Sequence, residues 1–246
     1  MMNFRRWHKW LSVVVAVQLV IWLGTGLYFA LADHSKAAGN TYRKAIETGH
    51  QKHKAPLADI TSLPVKDAKT VRLFYLQNTP FYLVEKHTSA HASQPRSTVV
   101  FNAVNGTQVQ LDDALIREQA MRSYSGPGTI QSVRLLKGPI SELPGYENPV
   151  WAVEMDDDIA TTVYLRADTA QVIAHVDDPR RLRNLMFTLH FMDYANEGSF
   201  NNLFSQLFGA MALLLTLTGI WWLYLIQKNK VSRYYRRKSR LASAGS

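Results

Sequence analysis

The sequence has no cysteine, which excludes disulfides, thiolate metal sites and a thiol nucleophile. It also lacks a Gly-x-Ser-x-Gly elbow, a Gly-rich phosphate loop and a His-Glu-x-x-His pair, so nothing in it supports hydrolysis or nucleotide binding. Acidic residues are missing from both ends. The first ten residues carry Arg5, Arg6 and Lys9, and seven more basic residues lie between Lys228 and Arg240, with no Asp or Glu in either stretch. The stretch between holds 18 Lys and Arg against 19 Asp and Glu, so the net charge of +9 belongs to two short tails and does not describe a nucleic-acid-binding surface.

Two long stretches lack charge altogether. Residues 11–32 contain only Ser12, Gln18 and Thr25 as clearly polar interruptions, and residues 203–226 read LFSQLFGAMALLLTLTGIWWLYLI, with Trp221, Trp222 and Tyr224 near one end. Each is long enough to cross a bilayer as a helix, and the aromatic residues suit an interfacial belt. Short basic flanks stay cytoplasmic by the positive-inside rule, which places both termini (1–10 and 227–246) on the inner side and residues 33–202 in the periplasm. A competing reading takes Ala30-Leu31-Ala32 as a signal-peptide cleavage site. The apolar run is longer than the 7–15 residues or so usual for such a region, and this favours retention. Both spans carry Thr-Gly, at Thr25-Gly26 and Thr218-Gly219, which suggests a close-packed seam between them.

Between the spans the pattern alternates. Residues 33–64 are polar and basic, with a short helix expected near residues 41–48. TVRLFYL and PFYLVEKH are then separated by Gln77-Asn78-Thr79 and read as a hairpin, and STVVFNAVNGTQVQL holds Asn105-Gly106, a strong tight-turn signal. Asp112 is a helix N-cap candidate before DDALIREQAMRSY, whose Ala114, Leu115, Ala120 and Met121 recur at helical spacing, with Gly126-Pro127-Gly128 as the stop. Three strand-like runs follow, TIQSVRLL, PVWAVEMD and TTVYLRADTAQVIAHV, the last folded at Ala167-Asp168-Thr169. Asp178-Pro179 then opens an amphipathic helix over residues 178–194, expected at the membrane interface, with Leu182, Leu185, Met186 and Leu189 on one face and His190 near it.

The helix-then-strands order and the segment VYLRADTAQVIAHV resemble the PepSY family, whose last hairpin carries an Asp-x-x-Thr-Gly-like turn. Here Asp168-Thr169-Ala170-Gln171-Val172 occupies that turn, with Ala170 where the family places glycine. FNAVNGTQVQL is similar to an earlier, degenerate copy and suggests repeats at residues 56–111 and 112–176. The spans resemble PepSY-associated membrane proteins more strongly, through RRWHKWL and LGTGLYF at the first and Leu189-His190 and LTGIWWL at the second. The implied fold is α+β: two transmembrane helices flanking a periplasmic PepSY-like domain, a helix with a three-stranded antiparallel sheet, duplicated if the repeat holds. The resemblance implies an accessory or interaction subunit of an inner-membrane electron-transfer or iron-acquisition system. Its alternatives are a haem-carrying component like the ferric-siderophore reductases among larger relatives, and a protease-regulating or ligand-sensing module. Expected partners are the bilayer and a membrane protein or a second copy of the chain, without nucleic acid, and no residue set specifies catalysis by the isolated chain.

Bis-His ligation of haem b needs two neutral imidazoles facing one another across an apolar slot, each steered by a hydrogen-bond partner. His34 and His190 are the candidates on the outer side, with Asp33 and Asp193 near them in sequence. His8 lies at the opposite end of the first span, a 26-residue interval from His34 that covers roughly 39 Å as a helix, and it can ligate only with a partner chain. His50 and His53, His87 and His91, and the acidic run Asp156-Asp157-Asp158 read as solvated loop residues rather than metal ligands.

Overall fold

The computed structural model describes residues 2–45, 56–66, 68–76, 78–86, 97–195 and 199–244. In chain order the elements are α1 (Met2–Leu31), α2 (His34–Ala37), a 3-10 turn (Ile60–Ser62), β1 (Thr70–Leu76), β2 (Thr79–Glu85), β3 (Thr98–Asn102), β4 (Gln108–Val109), α3 (Asp113–Ser123), β5 (Ile130–Leu136), β6 (Val150–Met155), β7 (Thr162–Arg166), β8 (Val172–Val176), α4 (Asp178–Phe191) and α5 (Leu203–Ala244). They form two compact units. One takes in Met1–Ala30, Phe187–Tyr194 and Ser199–Ser246, and the other Leu31–Met186 and Ala195–Gly198.

In the first unit, α1 over Arg6–Leu31 and α5 over Leu203–Arg233 are each long and apolar enough to cross a membrane. They pack through Val15 and Phe208, with Leu11, Trp22, Met211, Ala212 and Leu215 around them and Met192 closing the cluster. The expected Thr-Gly seam is corrected here. A Cβ added at Gly219 would meet nothing within 4 Å, and one at Gly26 would meet His190 Cε1 at 3.9 Å, so neither glycine lets the two spans approach each other.

The second unit contains two four-stranded antiparallel sheets, ordered β1-β2-β3-β4 and β5-β6-β7-β8. Each has one strand more than expected, because a run counted once folds at the turn read within it: Asn105-Gly106 separates β3 from the two-residue β4, and Ala167-Asp168-Thr169 separates β7 from β8. Side chains alternate between faces along a strand. In β2, Phe81 and Leu83 enter the largest core while Tyr82 and Val84 enter another; in β7, Val163 and Leu165 join that largest core and Tyr164 points the other way. The largest core is shared: β1, β2 and β3 supply Leu76, Phe81, Leu83 and Val100, α3 supplies Ile116 and Ala120, and β6 and β7 supply Val153, Met155, Val163 and Leu165.

Local chemistry fixes the ends. Asp112 Oδ1 accepts the Leu115 N–H at 2.9 Å and caps α3, worth about 1 kcal/mol. The helix stops at Ser123, before the Gly-Pro-Gly signal, and its buried face is Ile116, Gln119, Ala120 and Ser123. Met121, expected inside, is 41% exposed. Two polar residues on the buried stripe concealed its true phase. At the β7–β8 turn, Arg166 grips Asp168 through two hydrogen bonds of 2.8 and 2.6 Å. Ala170 there adopts φ +52, the left-handed conformation that favours glycine, at a cost of roughly 1–2 kcal/mol that its fully buried methyl partly offsets.

His175 on β8 is 1% exposed. Its Nε2 lies 2.9 Å from Ser123 Oγ, whose own proton goes to the Ala120 carbonyl at 2.8 Å, so Nε2–H donates. Nδ1 is buried without a hydrogen-bond partner. Arg180 donates to the His175 carbonyl at 2.8 Å. Burial, with the nearby Arg43 and Arg180 cations, pushes the His175 imidazole down to about 4.

Two expected outcomes follow. A histidine with its folded pKa lowered leaves the unfolded chain binding more protons between pH 4 and the ordinary value of 6.5, so stability rises with pH across that window. Full protonation of the unfolded state alone withdraws about 3 kcal/mol, and the thermal unfolding midpoint of His175→Gln, followed by far-UV circular dichroism, should therefore vary less between pH 4.5 and 7 than that of the wild type. In detergent, Gly219→Leu should melt like the wild type, whereas Gly26→Leu should melt lower because its side chain displaces the His190 ring.

Candidate functional site

Within the helical unit two histidines are held in the same manner. His190, in the last turn of α4, has Nδ1 2.8 Å from Thr25 Oγ1 on α1. His8, in the second turn of α1, has Nδ1 3.1 Å from Thr218 Oγ1 on α5. Both threonines belong to the Thr-Gly elements, and in both pairs the polar partner is the hydroxyl beside the glycine.

The hydroxyls are also committed to their own helices. Thr25 Oγ1 donates to the Ile21 carbonyl at 2.7 Å and lies 3.3 Å from that of Trp22, and Thr218 Oγ1 lies 2.9 Å from the carbonyls of both Leu214 and Leu215. Back-bonding to the preceding turn is the usual habit of threonine inside a helix. Gln18 adds a further tie, donating from Nε2 to the Leu189 carbonyl at 3.2 Å, one residue before His190.

Aromatic rings surround His190. Ring centroids of Phe191, Phe29 and Trp22 lie 4.9, 5.7 and 6.2 Å from its own, and Phe187, Phe191 and Phe200 pack on one another at 4.6 to 5.2 Å. The Trp22 indole N–H is buried without a hydrogen-bond partner. His8 is tilted against Trp222 at 5.8 Å.

His34 opens α2 in the other unit and is exposed. Asp33 does not orient it: the carboxylate caps α2, accepting the Ser35 and Lys36 N–H groups at 2.9 and 3.2 Å. The hydrogen bond that orients His190 likewise comes from Thr25 and not from Asp193. His50, His53, His87 and His91 lie outside the described residues. Among the described residues, no three His, Asp or Glu side chains converge so as to hold a metal ion.

The acidic run at the β6–β7 turn serves the fold. Asp157 accepts the Thr161 and Ile159 N–H groups at 2.9 and 3.2 Å and the Tyr124 hydroxyl at 2.8 Å, and Asp158 accepts the Tyr42 hydroxyl at 2.8 Å. Burial alone would raise the Asp157 carboxyl; the bonds from Thr161, Tyr124 and Ile159 outweigh it and hold the group below its ordinary value. Burial and the Asp157 carboxylate push the Tyr124 phenol up to about 12.

The histidine–threonine pairs escaped the sequence reading. Thr25 and Thr218 stood out there only for the glycines that follow them, and a histidine 165 residues from its threonine leaves no periodic trace. No curated protein and no solved structure matches the chain. The family model of the PepSY-associated TM region matches residues 2–224, which takes in α1, the first half of α5, the eight strands of the described residues and the two histidine–threonine pairs. With nearly its whole length matched, and with two helices of membrane-crossing length flanking antiparallel sheets, the chain is a membrane protein of the PepSY-associated transmembrane family.

Proposed function

We propose that this protein is a membrane component of an electron-transfer or iron-acquisition system, holding haem b through His190. The observation that carries the reading is the 2.8 Å contact between His190 Nδ1 and the back-bonded Thr25 hydroxyl. It occupies Nδ1 and leaves Nε2, the nitrogen through which such a histidine ligates a metal, without a hydrogen-bond partner among the described residues. The rings of Trp22, Phe29 and Phe191 fit a flat apolar macrocycle, and the unpartnered Trp22 N–H suits its polar edge. Haem bound there would supply one-electron chemistry; the chain would supply the ligand, its orientation and an apolar surround.

The basic tails support an inner-membrane orientation with both termini cytoplasmic and the sheet domain periplasmic. In such a topology the domain is an interaction module for a periplasmic partner, and the chain is an accessory subunit rather than a complete enzyme.

Full-length protein purified in detergent from haem-replete cells should show a Soret band that shifts on reduction. His190→Ala should abolish it, and His8→Ala should leave it. Haem-free wild-type protein from such cells would remove the haem reading and leave the accessory role. For orientation, a phosphatase fused after Asn105 should be active and one fused after Ser246 inactive; the opposite pattern reverses the topology.

A further inference from the structure

The two histidine–threonine pairs share a constraint that selects one tautomer. A threonine hydroxyl has a single proton. In Thr25 it is directed to the Ile21 carbonyl at 2.7 Å, with Trp22 O at 3.3 Å as a weaker second acceptor. In Thr218 it is divided between the Leu214 and Leu215 carbonyls, both at 2.9 Å. Each oxygen therefore faces its histidine with lone pairs alone, and the ring nitrogen in contact must carry the hydrogen. That nitrogen is Nδ1 in both, at 2.8 Å in His190 and 3.1 Å in His8.

The alternative is costly. Thr25 is 4% exposed, so reversing the bond would take its proton from the helix carbonyls and set it against a ring nitrogen at a site where water cannot compensate. The device occurs twice, on different helices and with unrelated neighbours: an α4 histidine against α1, and an α1 histidine against α5.

We infer that Thr25 and Thr218 are positioning residues that fix His190 and His8 as the Nδ1–H tautomer, which puts the lone pair of each neutral ring on Nε2, on the side away from the threonine. The tautomer assignment stands on the apoprotein's own hydrogen bonds; its use for iron ligation rests on the haem reading above. In the haem-loaded protein the threonine-bound N–H then strengthens Nε2 as a donor and sets the rotation of the ring.

The test is to label the full-length protein with 15N-histidine and record long-range 1H–15N correlations of the apoprotein in detergent at neutral pH. His190→Gln and His8→Gln assign the two rings. In the wild type both should give the Nδ1–H pattern. Thr25→Val, which keeps the shape and removes the oxygen, should move His190 toward the Nε2–H pattern and leave His8 unchanged, and Thr218→Val should do the converse. Thr25→Ser should restore the wild-type pattern, separating the hydroxyl from any packing effect. An Nε2–H pattern in the wild type, or no change in either valine variant, overturns the inference. In haem-loaded protein, Thr25→Val should weaken haem affinity by about 10–100-fold and shift the midpoint potential, with Thr25→Ser close to wild type. Wild-type protein with the Nδ1–H pattern but no haem affinity would uphold the tautomer assignment and overturn the haem reading alone.

Discussion

Hydrocarbon offers a polar side chain no hydrogen-bond partner, so each polar group on a membrane helix must be satisfied from within the protein or pay for its burial. The apolar helices here satisfy this mostly by threonine and serine hydroxyls turned back onto their own helix: Ser12 onto the His8 carbonyl, Thr25 onto Ile21, Thr216 onto Ala212 and Thr218 onto Leu214. Turning inward uses up the hydroxyl proton but not the oxygen's lone pairs. Two of these oxygens meet a histidine, and the direction of the remaining hydrogen bond then follows from proton count. The ordering of the imidazoles is a by-product of satisfying threonines in a medium without water.

The sheet domain meets its own polar burial by different means. Its backbone groups are absorbed in two meanders, and its polar side chains are used as local ties: Asp112 at the start of α3, Asp157 across the β6–β7 turn, Asp168 on Arg166, Ser123 on His175. Carboxylates that accept several N–H or O–H groups keep their charge despite burial, as Asp157 does, whereas His175, flanked by Arg43 and Arg180, keeps neutrality instead. The domain thus holds its anions by donors and the buried His175 imidazole by discharge.

Much of this was legible in the sequence. The helices of membrane-crossing length followed from two uncharged runs, the β3–β4 turn from Asn105-Gly106, the start of α3 from Asp112, and the family from the two span motifs. What failed did so for physical reasons. Hydrophobic periodicity misplaced the buried face of α3 because Gln119 and Ser123 occupy it, and counting each folded run once gave three strands per sheet where the turns within those runs make four. Proximity in sequence suggested Asp33 and Asp193 as histidine partners, whereas Asp33 caps a helix and the groups that orient His190 and His8 are threonines far away along the chain. His175 gave no signal, since one histidine in an apolar strand resembles any solvent-facing residue until the strand proves covered on both faces.

The core shared by the two sheets has an evolutionary consequence. If the sheets descend from one ancestral unit, the copies have since lost independence: Phe81 and Leu83 from one, Val163 and Leu165 from the other and Ile116 from the helix between them now fill a single interior. Such a pair cannot be shuffled, trimmed or exchanged one half at a time, because a lone half would carry the open interior of the other as a sticky face. Recombination can move this domain only whole, and lineages that carry it must inherit both halves together.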